Sequence, residues 1–176
     1  MTDKFKYRAF LTYAHEDGEH AQKLRKALEN FRVPSSLVGK ETEFGPVPAR
    51  LFPIFRDRDE LAGSAELAEA IQKALKDSSH LIVLCSPAAA KSFWVNEEIR
   101  VFKSMGRANR ILCLVLDGKP FASLRDGQPE LECLPVAARR KVSEQGKITE
   151  EPSEPAAADL RRDQDGEHGA YLKIIA

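Results

Sequence analysis

The stretch that decides the fold runs from Leu81 to Leu116, LIVLCSPAAAKSFWVNEEIRVFKSMGRANRILCLVL. Leu81–Cys85 and Ile111–Leu116 are short apolar runs, and Ala88–Met105 between them carries apolar residues at helical spacing. Neither run alternates with polar residues, as expected of strands covered by helices on both faces. Strand, helix and strand in that order make a parallel crossover unit. The same grammar extends outward. Upstream, Arg8–Tyr13 reads as a strand and Glu16–Phe31 as a helix with Leu24, Leu28 and Phe31 on one face. Leu51–Phe55 is another strand, which Pro53 assigns to a sheet edge. Ser64 caps a helix over Ala65–Lys76, where Leu67, Ile71 and Leu75 recur every four residues. Val33–Arg50, with Pro34, Gly39, Gly45, Pro46 and Pro48, reads as an irregular excursion. Downstream the pattern thins. Leu131–Val136 reads as a short helix, Lys141–Pro155 as a polar connection and Ala156–Leu160 as a last strand. Ala170–Ile175 opens a helix that the chain end cuts at Ala176, which predicts a further C-terminal domain in a longer protein. The expected fold is α/β, with a central parallel sheet of about five strands flanked by helices.

Composition narrows the function classes. The 176 residues hold 43% hydrophobic and 31% charged residues, the balance of a soluble globular protein. Lys+Arg and Asp+Glu each count 27, so no surplus cation is available for bulk nucleic-acid binding. No apolar run approaches the roughly 20 residues of a membrane span. MTDKFKYRAF lacks the apolar core of a signal peptide. Cys85, Cys113 and Cys133 show no metal-ligand spacing and read as reduced core thiols of a cytoplasmic protein. The histidines His15, His20, His80 and His168 are scattered, so no metal site is expected.

In an open parallel sheet, ligands bind beyond the carboxyl ends of the strands. Here those ends lead into Tyr13-Ala14-His15-Glu16-Asp17, Arg56-Asp57-Arg58-Asp59, Ser86-Pro87 and Asp117-Gly118. Arg56 and Arg58 either hold a pyrophosphate or pair with the neighbouring aspartates. There is no GxxxxGK[ST] loop and no GxGxxG after the first strand, which sets aside a Walker NTPase or a hydride-transferring dehydrogenase. A phosphate-accepting receiver needs an Asp where this chain has Cys85-Ser86-Pro87.

A helix advances about 100° per residue, so with Val95 at the origin Ile99 lies near +40° and Phe102 near −20°. These three define the buried stripe. Glu98 falls near −60° and Trp94 near −100°, whereas Glu97 points away from the core near 200°. Glu98 therefore borders the apolar arc one turn from Trp94. It is either a desolvated carboxylate beside an indole, poised for a cationic ligand, or a snorkelling residue paired with Lys91, Arg100 or Lys103.

Taken together, these segments resemble a bacterial TIR (Toll/interleukin-1 receptor) domain. Tyr7–Asp17, YRAFLTYAHED, is similar to the family's opening strand and turn. Phe55-Arg56-Asp57 with Leu61 and Gly63 resembles its second strand and BB loop. His80–Pro87, HLIVLCSP, leads into Ser92–Ile99, which is similar to the family's S-x-W-x-x-x-E pattern. The match covers roughly residues 5–120 in the right order. Two departures stand out: the 33–50 excursion is long, and Ala62-Gly63 replaces the proline–glycine pair of receptor members.

The resemblance implies a flavodoxin-like three-layer sandwich and a single TIR domain over residues 1–176. It implies cleavage of the nicotinamide–ribose bond of NAD+, giving nicotinamide and ADP-ribose or a cyclic isomer, with NAD+ as substrate and no cofactor. By the same resemblance Glu98 is catalytic and Trp94 walls the ring, while Tyr13, Ala14, His15, Phe55, Arg56 and Asp57 line the remainder. The implied partners are other TIR domains, through self-association, with a role in bacterial defence signalling. The alternative is a non-enzymatic scaffold for homotypic assembly. A weaker one is a transferase using Glu98 as nucleophile on a deoxynucleoside.

Overall fold

The computed structural model describes residues 5–56 and 65–175. Five strands form one sheet: β1 (Tyr7–Thr12), β4 (Ile54–Arg56), β5 (Ser78–Cys85), β6 (Ile111–Val115) and β9 (Ala156–Asp159). The spatial order is β4-β1-β5-β6-β9, and every adjacent pair is parallel. Counting only these strands, the order is 2-1-3-4-5, the flavodoxin-like winding with its switch point between the first and third. Pro53 precedes an edge strand, where its missing N–H costs no ladder bond. That strand begins at Ile54, three residues later than the apolar run suggests.

The helices are α1 (Gly18–Asn30), α2 (Ala65–Lys76), α3 (Pro87–Lys91), α4 (Phe93–Ser104), α5 (Ala122–Arg125), α6 (Val136–Arg139) and α7 (Gly166–Ile175). Two cores separate across the sheet. On one face Phe10, Leu81, Val83 and Val115 meet Leu75 of α2 and Val95, Ile99 and Phe102 of α4. On the other, Leu11, Ile82, Leu84 and Leu114 meet Leu24 and Leu28 of α1 and Tyr171 of α7. Apolar residues at successive positions of β5 serve opposite faces, which is why that strand reads as an unbroken apolar run. The Ser64 cap expected for α2 lies outside the described residues.

Four local expectations are corrected. The third helix is two helices, broken at Ser92, whose extended backbone ends α3 while its hydroxyl accepts from Val95 N (3.3 Å) to begin α4. The helix expected at Leu131–Val136 is instead a 3₁₀ turn at Pro129–Leu131 followed by α6. The excursion carries a small hairpin, β2 (Glu41–Thr42) against β3 (Gly45–Pro46). Likewise the polar 141–155 connection forms β7 (Arg140–Val142) against β8 (Ile148–Pro152). Among the described residues no helix is long and apolar enough to cross a membrane. All three cysteines are buried and free, and burial pushes the Cys85 and Cys133 thiols up, the latter to about 12.

One buried carboxylate organises the segment after β6. Glu132 accepts from Phe121 N (3.1 Å), Ser123 Oγ (2.7 Å) and Leu134 N (3.0 Å), with Arg139 nearby at 3.9 Å. Burial opposes its charge, but the bonds from Ser123 and Leu134 and the Arg139 guanidinium outweigh it and hold its pKa below the ordinary value. A depressed folded pKa gives stability that is present above the unfolded value, near 4.3, and lost as pH falls through the folded one. Glu132→Gln is therefore expected to cost about 1–3 kcal/mol at pH 7. In thermal melts the gap to the parent protein should narrow steadily as the pH falls through the acid range.

Candidate functional site

The switch point between β1 and β5 collects the polar groups of the carboxyl-end rim. Glu98 projects from α4 with a relative exposure of 4%, and the buried hydroxyl of Thr12, the last residue of β1, donates to its Oε2. Strand alternation explains the meeting: Phe10 and Ala14 belong to the α4-facing core, and Thr12 shares their face. Along α4, Trp94 lies one turn before Glu98 and is 50% exposed, with its ring edge-on to Phe93 at 5.3 Å. A half-exposed indole thus flanks a buried carboxyl at the end of the sheet.

Glu97 has a different address, as the helical wheel separates it. It is half-buried and takes a bidentate fork from Arg100, which holds its carboxyl below the ordinary value. Arg100 also donates to Gly146 O (2.6 Å), tying α4 to the β7–β8 hairpin. Lys103 is buried, and its Nζ donates to Ala138 O (3.2 Å) and Arg140 O (2.8 Å). Two of the three cations considered as surface partners for Glu98 therefore serve other groups.

The loops beside Glu98 are tied together as well. Ser86, at the end of β5, donates to Asp17 Oδ2 (2.5 Å) and caps α3 by accepting from Ala89 N (3.1 Å). Of the other expected lining residues, Ala14 is buried on the α4 side, whereas Tyr13 packs into the opposite core and His15 is exposed. Phe55 is on the α4 side, in a stack with Tyr7 (5.2 Å) and Phe10 (5.0 Å). Arg56 pairs in register with Leu11, so alternation directs it toward the α1 face. Asp57 and Arg58 lie outside the described residues. The structure thus joins Thr12 to Glu98, with Trp94 one turn away on the same helix, and joins Ser86 to Asp17 where the chain leaves β5 and β1.

Comparison with known proteins follows the same geometry. A family model for the TIR-like domain of Thoeris protein ThsB matches residues 10–120. The chain belongs to the TIR family. It is 31% identical over 180 residues to the NAD(+) hydrolase ApTIR of Actinoplanes sp. (strain ATCC 31044 / CBS 674.73 / SE50/110). That alignment takes in 97% of this chain and 22% of the relative, so the chain spans about a fifth of that protein's length. Among solved structures, the TIR domains of the activated Roq1 resistosome superpose with a TM-score of 0.51 at 19% identity, covering 96% of this chain and 97% of theirs. That likeness concerns the fold.

Thr12 is the residue of this TIR domain that the sequence reading passed over. Its signal was available: a hydroxyl on the α4-facing alternation of an otherwise apolar strand. Thr12→Val keeps the shape and removes the donor, leaving a buried carboxyl short of a partner. The expected cost is about 1–3 kcal/mol, a fall of roughly 2–10 °C in Tm, with Thr12→Ser close to the parent in the same melts.

Proposed function

We propose that this TIR domain cleaves the nicotinamide–ribose bond of NAD+, with Glu98 as the catalytic carboxylate. The observation that carries the reading is the buried Glu98, held by Thr12, one turn from the half-exposed Trp94 at the switch point. Departure of neutral nicotinamide leaves oxocarbenium-like charge on the ribose, as in glycoside cleavage. A carboxylate taken out of water and fixed by a hydrogen bond stabilises that charge more strongly than a solvated one. Trp94 offers an apolar face for a ring, attractive also to a cationic nicotinamide. Water, or an internal nucleophile of the adenosine half, then captures the ribose to give ADP-ribose or a cyclic isomer. When water is the acceptor, its proton passes to solvent. Similarity to the Actinoplanes relative, an NAD(+) hydrolase, supports the same chemistry.

Activation by self-association with other TIR domains, in bacterial defence signalling within the cytoplasm, completes the proposal. Membership in a family named for a Thoeris protein supports the defence setting. The second reading, a scaffold that only assembles, draws on the exposed Phe93 and Phe52. Trp94 is the chain's single tryptophan, so its emission reports on the site without labelling. In the substrate reading, titration with NAD+ quenches that emission saturably, and the Glu98→Gln protein retains the quench without consuming the dinucleotide. A flat titration from folded protein favours the scaffold.

A further inference from the structure

A cavity lies at the other end of the sheet, away from Glu98. It has a volume of about 280 Å³ and sits at the amino-terminal ends of β1, β5 and β6, on the face that α1 and α7 cover elsewhere. Strand β1 links the two places: Arg8 and Ala9 line the cavity, and Thr12 holds Glu98.

The void has a cause in the sequence. Its floor takes residues from two rows of the sheet: Ala9 pairs with Ile54 and His80 in one, and Leu112 with Ile82 and Ala156 in the other. Ala9 between Ile54 and His80, and Ala156 beside Leu112, are short side chains among larger ones, so each row has a gap. The 33–50 excursion roofs them. Its β2–β3 hairpin is fixed by Gly39 N to Val47 O (2.9 Å) and Val47 N to Lys40 O (2.9 Å), and it presents Phe44 over the opening. The Phe44 ring meets His80 edge-on at 5.1 Å and carries the Arg110 guanidinium at 4.6 Å.

The charges facing this space are unequal. Arg8 and Arg110 line it from the sheet side, with Glu43 as the carboxylate of the hairpin. Lys173 at the mouth is already ion-paired with Asp165 (2.8 Å). His80 registers the local field: burial first, then Arg110 and Arg8, push its imidazole down to about 4, so it stays neutral at pH 7. Apolar walls with a few convergent polar groups are the ordinary anatomy of a small-ligand site, and this volume falls at the small end of the range.

We propose that the cavity binds a small organic monoanion with a flat apolar body, of the chemistry of a fused-ring aromatic carboxylate. The ring lies over Ala156 against Ile82 and Leu112, and the carboxylate meets Arg110, with Arg8 reinforcing the positive potential. This is a site distinct from the Glu98 rim and independent of what that rim does. The excursion is then a binding element, in place of an inert insertion.

The test is a methyl NMR titration of the full chain with 2-naphthoate, beside the neutral isostere 2-naphthamide. Saturable shifts are expected at Ile82 and Leu112, with naphthamide about tenfold weaker for want of one charge-assisted contact. Arg110→Gln should weaken naphthoate about tenfold while leaving naphthamide unchanged. Ala156→Met, a change at an exposed edge-strand position, should fill the mouth and abolish binding while the methyl spectrum elsewhere keeps its dispersion. Equal affinity for acid and amide, absence of saturable shifts at these methyls, or undiminished binding to folded Ala156→Met would each overturn the proposal.

Discussion

Replacing Glu98 by glutamine is expected to lower nicotinamide release from NAD+ by about a hundred- to a thousand-fold, while Glu97→Gln stays within about threefold of the parent rate. The contrast between adjacent residues is the point of the experiment. Glu98 is buried and bonded to Thr12, so the amide keeps its size while removing the negative charge. Glu97 is half-buried and its charge is paired with Arg100. Losing that pair removes an interaction of the kind that contributes little to stability. Equal losses in both variants would mean that the helix as a whole, and no single carboxylate, matters. Circular dichroism of each variant separates the two outcomes.

Phe102→Ala is expected to be the most damaging of the changes considered for the fold, at about 3–5 kcal/mol and roughly 6–20 °C in Tm. Phe102 has 0% exposure and packs in the core that joins α4 to the sheet. With Val95 and Ile99 it forms the stripe that seats the helix bearing Glu98. Truncation leaves a cavity under that helix, so activity should fall along with stability. Phe93→Ala provides the control. That ring is 69% exposed, and its removal should change stability by no more than about 0.5 kcal/mol. Urea unfolding of both variants reads the difference directly.

The legibility of this chain followed the range of the forces involved. Continuous apolar runs disclosed β5 and β6, because burial on both faces writes itself into composition. Pro53 correctly indicated the edge, since a missing donor is tolerated there. The helical wheel separated Glu98 from Glu97 by angle alone, and their unequal burial follows that angle. What stayed hidden depends on partners distant in the chain. Thr12 meets Glu98 across 86 positions, and Ser86 meets Asp17 across 69. Ser92 breaks the third helix by a local capping choice that periodicity smooths over. Glu132 appears in the sequence as one more acidic residue in a polar tract, although it is 4% exposed and anchors the segment after β6. Tyr13 and Arg56 were expected at the rim because they close or follow strands. Alternation places Tyr13 in the opposite core and directs Arg56 to that face, so the residues bordering Glu98 are those on the α4-facing side.

The most direct test of the central claim is a time course of nicotinamide released from NAD+ by the purified chain over a series of protein concentrations. Stoichiometric nicotinamide and ADP-ribose, linear or cyclic, with a rate that climbs faster than protein concentration, is the result predicted for an assembly-activated NAD+ hydrolase. No nicotinamide at any concentration, from protein whose melting shows it to be folded, would contradict the account and leave the TIR domain as a scaffold.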